Sequence, residues 1–364
     1  MSFEGITRDE TLTLLRQAHV VRFAGTTESG LPLMRTVHPC VAGGWLLFHA
    51  GPRGEKNACL GRPVVFCTER VIARIPSYFI DERRACPATT YYESVIVEGL
   101  LERVDDHALK TASLAALMAQ LQPEGGHVPL EPDEPLYRKT IEGLLVAGVR
   151  LDAAQIGGKR KLGQHLAPAR RQAVLEGLWR RGDAGDAAAI EEIRRAAPDA
   201  APPAFAAAPR EGVSLHVHLF DEDLPAAIAL VQHEYWNDGR YDGAALARAF
   251  RGSAVWVGAR DAAGALIATA RAISDGVKLA YVGDVAVAPA YRGSGVGRAL
   301  MALLLDHPRV RTTGCVRLAT RDAHGFYRGL GFEMAGELPL TPQMALVRWP
   351  RRPLPGEQKA VGIA

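Results

Sequence analysis

Arg292-Gly-Ser-Gly-Val-Gly297 places three glycines in six residues directly ahead of an apolar, helix-forming run at 298–305. Gly293, Gly295 and Gly297 remove side chains where a loop must bring several backbone N–H groups toward one point, and a helix N-terminus adds partial positive charge there. Such a loop suits a diphosphate. Its spacing is neither G-x-G-x-x-G nor G-x-x-x-x-G-K-[ST], so it fits neither the dinucleotide fingerprint nor the ATP loop. Just upstream, Asp284 stands among the β-branched Val282, Val285 and Val287. A carboxylate in mid-strand is paired, faces a cleft or caps a bulge. A role toward an amine substrate and a structural role are both open on that pattern.

The elements that must position these groups are a strand ending at Pro289, the glycine loop, and the helix that follows. Val287-Ala-Pro-Ala-Tyr291 and then R-x-x-G-x-G give a combined pattern that resembles the acetyl-CoA loop of the GNAT N-acetyltransferase superfamily. Val316-Arg-Leu-Ala-Thr-Arg-Asp-Ala-His-Gly-Phe-Tyr-Arg-Gly-Leu-Gly-Phe332 resembles the strand and helix that carry that superfamily's acid tyrosine. The resemblance implies that Val285, Val287, Arg292, Gly293, Ser294, Gly295, Val296, Gly297 and Arg298 hold acetyl-CoA and that Tyr327 protonates the leaving thiolate. It also makes Asp284 a catalytic candidate, because acidic residues of this strand bind or deprotonate amines in polyamine-type members. Asp322 reads as the N-cap of the tyrosine's helix. Glu234, Tyr235 and Trp236 are candidates for the acceptor pocket or for core packing, and His324 for tuning a pKa or for a solvated first turn. No Ser-His-Asp or zinc spacing competes for the chemistry.

The first half reads differently. Thr7-Arg-Asp-Glu10 is a capping-box pattern, and β-branched and aromatic residues mark strands at 20–26, 33–41, 45–49, 64–68 and 94–104. Helical signals fall at 56–60 and 106–121. Many short strands with few helices predict a small closed barrel. The order of Gly30-Leu-Pro-Leu-Met-Arg-Thr-Val37, Leu47-Phe-His-Ala50, Gly54-Glu-Lys56 and Tyr92-Glu-Ser-Val-Ile-Val-Glu-Gly99 resembles the flavin-binding split barrels of the pyridoxamine-phosphate-oxidase-like group, in particular its nitroimidazole-resistance branch. That resemblance implies an FMN site lined by Arg35, Thr36, Val37, His49 and Lys56, with Lys56 on the phosphate. Glu55 puts an anion beside that phosphate. A barrel kept for packing or for homodimer formation is the alternative. Gly157-Gly-Lys-Arg-Lys-Leu-Gly-Gln164, with the helical run after it, resembles the tail of FMN-binding proteins described as negative transcriptional regulators, or is a basic turn leading into a surface helix.

At 364 residues the chain is long enough for two cores, and 48% hydrophobic with 23% charged residues is a globular composition. The formal net charge of +3 gives little attraction to nucleic acid. No apolar run approaches a bilayer span and residues 1–19 build no signal-peptide core, which predicts a cytosolic protein. The five cysteines have no metal-ligand spacing, so reduced and mostly buried thiols are expected. The expected organisation is a mainly β, FMN-binding-type split barrel with a helical tail over 1–195 and an Ala/Pro-rich linker over 196–212. An α/β GNAT acyl-CoA N-acyltransferase fold follows over 213–350, with a tail over 351–364. The functional expectation is an acetyl-CoA-dependent N-acetyltransferase acting on a small amine. The alternatives are an FMN-dependent oxidoreductase with an accessory GNAT domain, or a barrel that senses a ligand or dimerises.

Overall fold

A computed structural model describes residues 5–237, 239–337 and 342–347; the tail expected over 351–364 lies outside the described residues. The chain divides into two compact units, Met1–Arg74 with Thr89–His165, and Ile75–Ala88 with Leu166–Ala364.

The first unit holds two sheets. One runs in the order β2 (Pro32–Val37), β1 (Val21–Thr26), β5 (Pro63–Ile75), β6 (Thr89–Leu100) and β9 (Gln155–Lys161). The other runs β3 (Cys40–Ala42), β4 (Trp45–Ala50), β8 (Leu145–Arg150) and β7 (Glu102–Val104). Two segments read as single strands prove to be corners. The 33–41 run breaks into β2 and β3 around His38 and Pro39, where proline has no N–H to give a ladder. The 94–104 run changes sheet at Leu101, which is fully buried. The core between the sheets is built on Phe23, Phe48 and Phe66, with ring centroids 5.4 to 6.0 Å apart, each burial contributing roughly 1.5–3 kcal/mol. Helix α1 (Arg8–Gln17) opens on the capping box of Thr7 and Glu10. Helix α2 (His107–Leu121) is capped by Asp106, and α3 (Arg138–Gly143) leads into β8. The basic segment is strand β9 rather than a turn: Arg160 reaches the buried Glu93 and also Glu10.

The second unit begins with α4 (Pro168–Arg181) and α5 (Asp186–Arg195). Val174, Leu178 and Trp179 of α4 are buried, so it is not the surface helix its composition allowed. A Cβ on Gly177 would lie 2.4 Å from Phe79, and that close approach ties the Ile75–Ala88 excursion to this unit. The helical tail and part of the expected linker thus pack with the second unit: Phe205 stacks on Trp179 at 4.5 Å and Ala206 is buried. Next come β10 (Val213–His216), α6 (Leu224–Val231), α7 (Gly243–Arg251), β11 (Val255–Asp261), β12 (Leu266–Ser274) and β13 (Leu279–Val287). Helix α8 (Val296–Asp306), α9 (Pro308–Arg311), β14 (Cys315–Ala319), α10 (His324–Arg328), β15 (Glu333–Glu337) and β16 (Pro342–Val347) complete the unit. The sheet order is β10-β11-β12-β13-β14-β16-β15. Strands β13 and β14 are parallel and pair only from Leu279↔Cys315 to Tyr281↔Arg317. Beyond Tyr281 they part.

Among the described residues no helix is long and apolar enough to cross a membrane. All five cysteines are free thiols; Cys40 and Cys59 are buried, Cys67 and Cys315 half-buried and Cys86 exposed, so fewer are buried than expected.

Candidate acyl-transfer site

The parted strands open a cavity of about 1180 Å³. Val285 and Val287 of β13 and Leu318 and Thr320 beyond it line the cavity, and the glycine loop and Tyr327 border it too. Gly293 and Gly295 have φ values of 74° and 88°, a left-handed conformation that side chains resist. A Cβ on either would meet nothing within 4 Å, so the loop faces open space. Gly295 is also the N-cap of α8, with no side-chain cap. The first amides of α8, those of Val296, Gly297 and Arg298, therefore have no partner within the helix, and they sit at its positive end. Arg292 is anchored by Val287 O at 3.0 Å and Glu234 at 2.8 Å, and Arg298 by Gly329 O at 3.0 Å. Ser294 turns its hydroxyl back to Tyr291 O. Its side chain closes the turn instead of facing the cavity.

Tyr327 lies on α10 against Phe326 and Phe332 and is 8% exposed. Its hydroxyl makes no hydrogen bond to a described residue, and the residue borders the cavity. Burial, with lesser contributions from Tyr235 and Asp322, pushes the phenol up to about 12, so it is protonated across the neutral range. Asp322 does not cap this helix. The N-cap is Ala323, whose N–H donates to Thr320 Oγ1 at 3.1 Å. Tyr235 lies under the Arg321 guanidinium and accepts from Arg321 N–H at 2.9 Å, which fixes the turn ahead of Tyr327. His324 is half-buried.

Asp284 sits on a bulge. Thr269 pairs with Ala286 and Arg271 with Gly283, so Ala270 alone opposes both Asp284 and Val285. Its φ is 49°, which aspartate tolerates better than a β-branched residue. Both carboxylate oxygens are engaged: Oδ2 takes the Arg271 Nε–H and Oδ1 the Trp236 indole N–H at 3.0 Å. Arg271, together with Tyr241, Tyr281 and Arg248 on the same cavity, was not singled out by sequence. The signal was available for Arg271: it is a lone charge inside an apolar strand, opposite in sign to Asp284 and placed to pair with it across an antiparallel ladder.

In the barrel, Arg35 is bound by Glu55 through both Nε and Nη2. Arg35 and Thr36 are exposed, Val37 is buried, and His49 and Lys56 are half-buried. Burial, then the neighbouring His38 and Lys56, hold the His49 imidazole below its ordinary value. Lys56 makes no ion pair with a described residue. Lys56 is thus a cation left open to an anionic group, whereas Arg35 is already engaged. The expected helix at 56–60 is a single 3-10 turn, Glu55–Cys59.

Away from the cavity, Ser214 Oγ lies 3.1 Å from His216 Nε2, and His216 Nδ1 lies 3.0 Å from the buried Glu191. Glu191 also accepts from Arg194 and from Val217 N–H at 2.7 Å. This relay fastens α5 to β10. Among the described residues no cluster of three metal-ligating side chains occurs.

Comparison with known proteins agrees with both units. Residues 7–160 match the pyridoxamine 5'-phosphate oxidase family and residues 215–332 the acetyltransferase (GNAT) family. The chain is thus a fusion of a pyridoxamine-oxidase-like split barrel with a GNAT acetyltransferase domain. A stretch of 83 residues is 43% identical to serotonin N-acetyltransferase 2, chloroplastic, of Oryza sativa subsp. japonica, covering 22% of this chain and 42% of that protein. The chain therefore spans less than half the length of this curated relative. A structure described as an acetyltransferase of the GNAT family from Xanthomonas campestris pv. campestris is 32% identical, with 36% of this chain and 96% of that one covered and a TM-score of 0.30. A flavocytochrome from Azotobacter vinelandii is 17% identical, with 43% and 67% covered and a TM-score of 0.35.

Proposed function

We propose that the protein is an acetyl-CoA-dependent N-acetyltransferase acting on a small amine. The observation that carries this reading is the parting of β13 and β14 after Tyr281, between a glycine loop suited to a diphosphate and a protonated phenol. An extended thioester arm lying there would run along the unpaired edge of β13, with its diphosphate on the amides of 293–298. The neutral amine attacks the thioester carbon, a C–N bond forms, the C–S bond breaks, and the amine's extra proton passes to solvent. Tyr327 gives its proton to the leaving thiolate and regains one from water. A phenol near 12 is a weak donor toward a free thiol of ordinary pKa near 8.5. The desolvation that raises the phenol raises a thiolate held in the same cavity too, which narrows the mismatch.

Asp284 is assigned a positioning role, because both its oxygens are taken up by Arg271 and Trp236. The test is incubation with acetyl-CoA and a library of small amines, with a thiol reagent reading released CoA. Acceptor-dependent release with a matching acetylated amine in the mass spectrum is expected, and its absence across the library contradicts the reading.

A second reading concerns the barrel and rests on the unpaired Lys56. Lys56 would hold the phosphate of FMN and His49 would lie beside it. FMN, when bound, supplies redox chemistry that no side chain of the barrel offers. Visible absorbance of the purified protein tests this directly.

A further inference from the structure

The charge of the acceptor end of the cavity is reversed from what a cationic amine would need. β13 runs from Tyr281 to Val287 over roughly 20 Å at a strand's rise of about 3.4 Å per residue, so the Tyr281 end is remote from the diphosphate loop. Arg271 of β12 stands opposite Gly283 there and Trp236 reaches Asp284, and Arg248 of α7, Tyr241 and Tyr281 line the same cavity. The carboxylate of that end, Asp284, is consumed by Arg271 and Trp236. Glu234 gives one oxygen, Oε1, to Arg292. The Arg248 guanidinium makes no hydrogen bond or ion pair with a described residue. Arg271 has its Nε on Asp284 and its Nη1 3.3 Å from Ser253 Oγ. Its Nη2 lies 3.7 Å from where a Cβ on Gly283 would stand, so the missing side chain leaves that donor uncovered. Two guanidinium groups against one committed carboxylate leave a net positive, donor-rich floor beside three aromatic side chains.

Resting on the acetyltransferase reading, we propose that the acceptor is an amine that also carries a carboxylate, an amino acid with an aromatic side chain. Arg248 binds the carboxylate, with the free edge of Arg271 beside it. Guanidinium matches a carboxylate in planar, paired hydrogen bonds. The aromatic side chain packs against Trp236 and Tyr281. Of the carboxylates on the cavity, Asp284 is engaged on both oxygens and Glu234 on one, which leaves Asp322, in the turn ahead of Tyr327, as the one without an ion pair among the described residues.

Two matched pairs test this, L-tryptophan with tryptamine and L-phenylalanine with phenethylamine, each pair differing only by the carboxylate. Acetyl-CoA binding is first measured by calorimetry on the same preparation. Absence of binding defeats the acetyltransferase reading itself. With binding established, the amino acids are expected to exceed their amines at least about tenfold in kcat/KM, the scale of one charge-assisted hydrogen bond. Arg248→Gln should collapse that ratio to near one by raising KM for the amino acids while sparing the amines, and Arg248→Lys should restore part of it. Preference for the decarboxylated amines, a ratio unmoved by Arg248→Gln, or no turnover of any member by a protein that binds acetyl-CoA would each overturn the proposal. Arg248 is exposed, so its substitution leaves the core of the domain intact.

Discussion

The indole N–H of Trp236 donates to Asp284 Oδ1 at 3.0 Å, joining the turn after α6 to a bulged residue in the middle of β13. With Arg271 on its other oxygen, Asp284 is committed on both sides. In the proposed reading it therefore positions the groups around it instead of serving as the base.

Asp284→Asn tests that assignment. Asparagine tolerates the positive φ and keeps an oxygen for Trp236, but Arg271 loses its counter-charge. The largely buried ion pair then costs up to about 3 kcal/mol of stability, seen as a lower Tm. KM for the acceptor should change while kcat falls by less than about tenfold. Loss of a general base would instead lower kcat by about 10² to 10⁴.

Tyr327→Phe keeps the ring against Phe326 and Phe332 and removes the proton donor. We expect kcat to fall by about a hundredfold or more with acetyl-CoA affinity little changed. The phenol is protonated below its pKa, and that pKa lies near 12. The wild-type rate should therefore show no alkaline fall from this group below about pH 11. A descending limb near pH 9 that vanishes in Tyr327→Phe would contradict the value and its cause.

His307 supplies a pH prediction for stability. Burial, with His218, Arg311 and Arg309 nearby, pushes its imidazole down to about 3. Above about pH 6.5 the folded and unfolded chains are both neutral at this site. As pH falls from there toward 3, only the unfolded chain takes up the proton, so stability is lost. At pH 5 the loss is about 2 kcal/mol. In His307→Asn, which keeps an acceptor for Arg309 N–H, the drop in Tm between pH 7.5 and pH 5 should be smaller than in wild type. An equal drop in both proteins would assign the acid sensitivity elsewhere.

For the barrel, the ion pair of Arg35 with Glu55 competes with any ligand contact by Arg35. Glu55→Gln releases the guanidinium and removes an anion beside Lys56, so FMN affinity measured by fluorescence quenching should rise. Lys56→Ala should lower it about tenfold, the scale of one charge-assisted hydrogen bond. Identical titrations for the two variants and wild type would detach the barrel from flavin.

The glycine loop and Tyr327, which sequence singles out, border one cavity in the structure, whereas most of the cavity's other charged residues are not legible in sequence. The glycine loop and Tyr327 are legible because their chemistry is local, set by residues within one loop and one turn. Asp284 was visible as an anomaly, but its partners came from β12 and from the turn after α6, and pairing across a sheet is not written in either segment. Arg248 reads as any exposed helical arginine until α7 is placed over the cavity. In the barrel, β8 was missed because burial on both faces erases the alternation that marks a half-exposed strand. Strand β9 is not legible as a strand, and its sequence leaves a flavin-protein tail and a basic turn both open, because its sheet position is fixed by β6 and not by its own propensity. Pro39 and Leu101 divide runs that look continuous, since a corner between sheets costs no change in hydrophobic pattern. Phe205 was hidden in an Ala/Pro-rich stretch whose composition gave no hint of Trp179.

The most direct test of the central claim is calorimetric titration of acetyl-CoA into the wild-type protein and into Gly295→Asp. Aspartate at a φ of 88° is strained and places a negative charge where the account puts a diphosphate. One site per chain is expected in the wild type and at least about tenfold weaker binding in the variant, with the circular dichroism spectrum unchanged. Equal affinity in a folded Gly295→Asp protein, or no binding in the wild type, would contradict it.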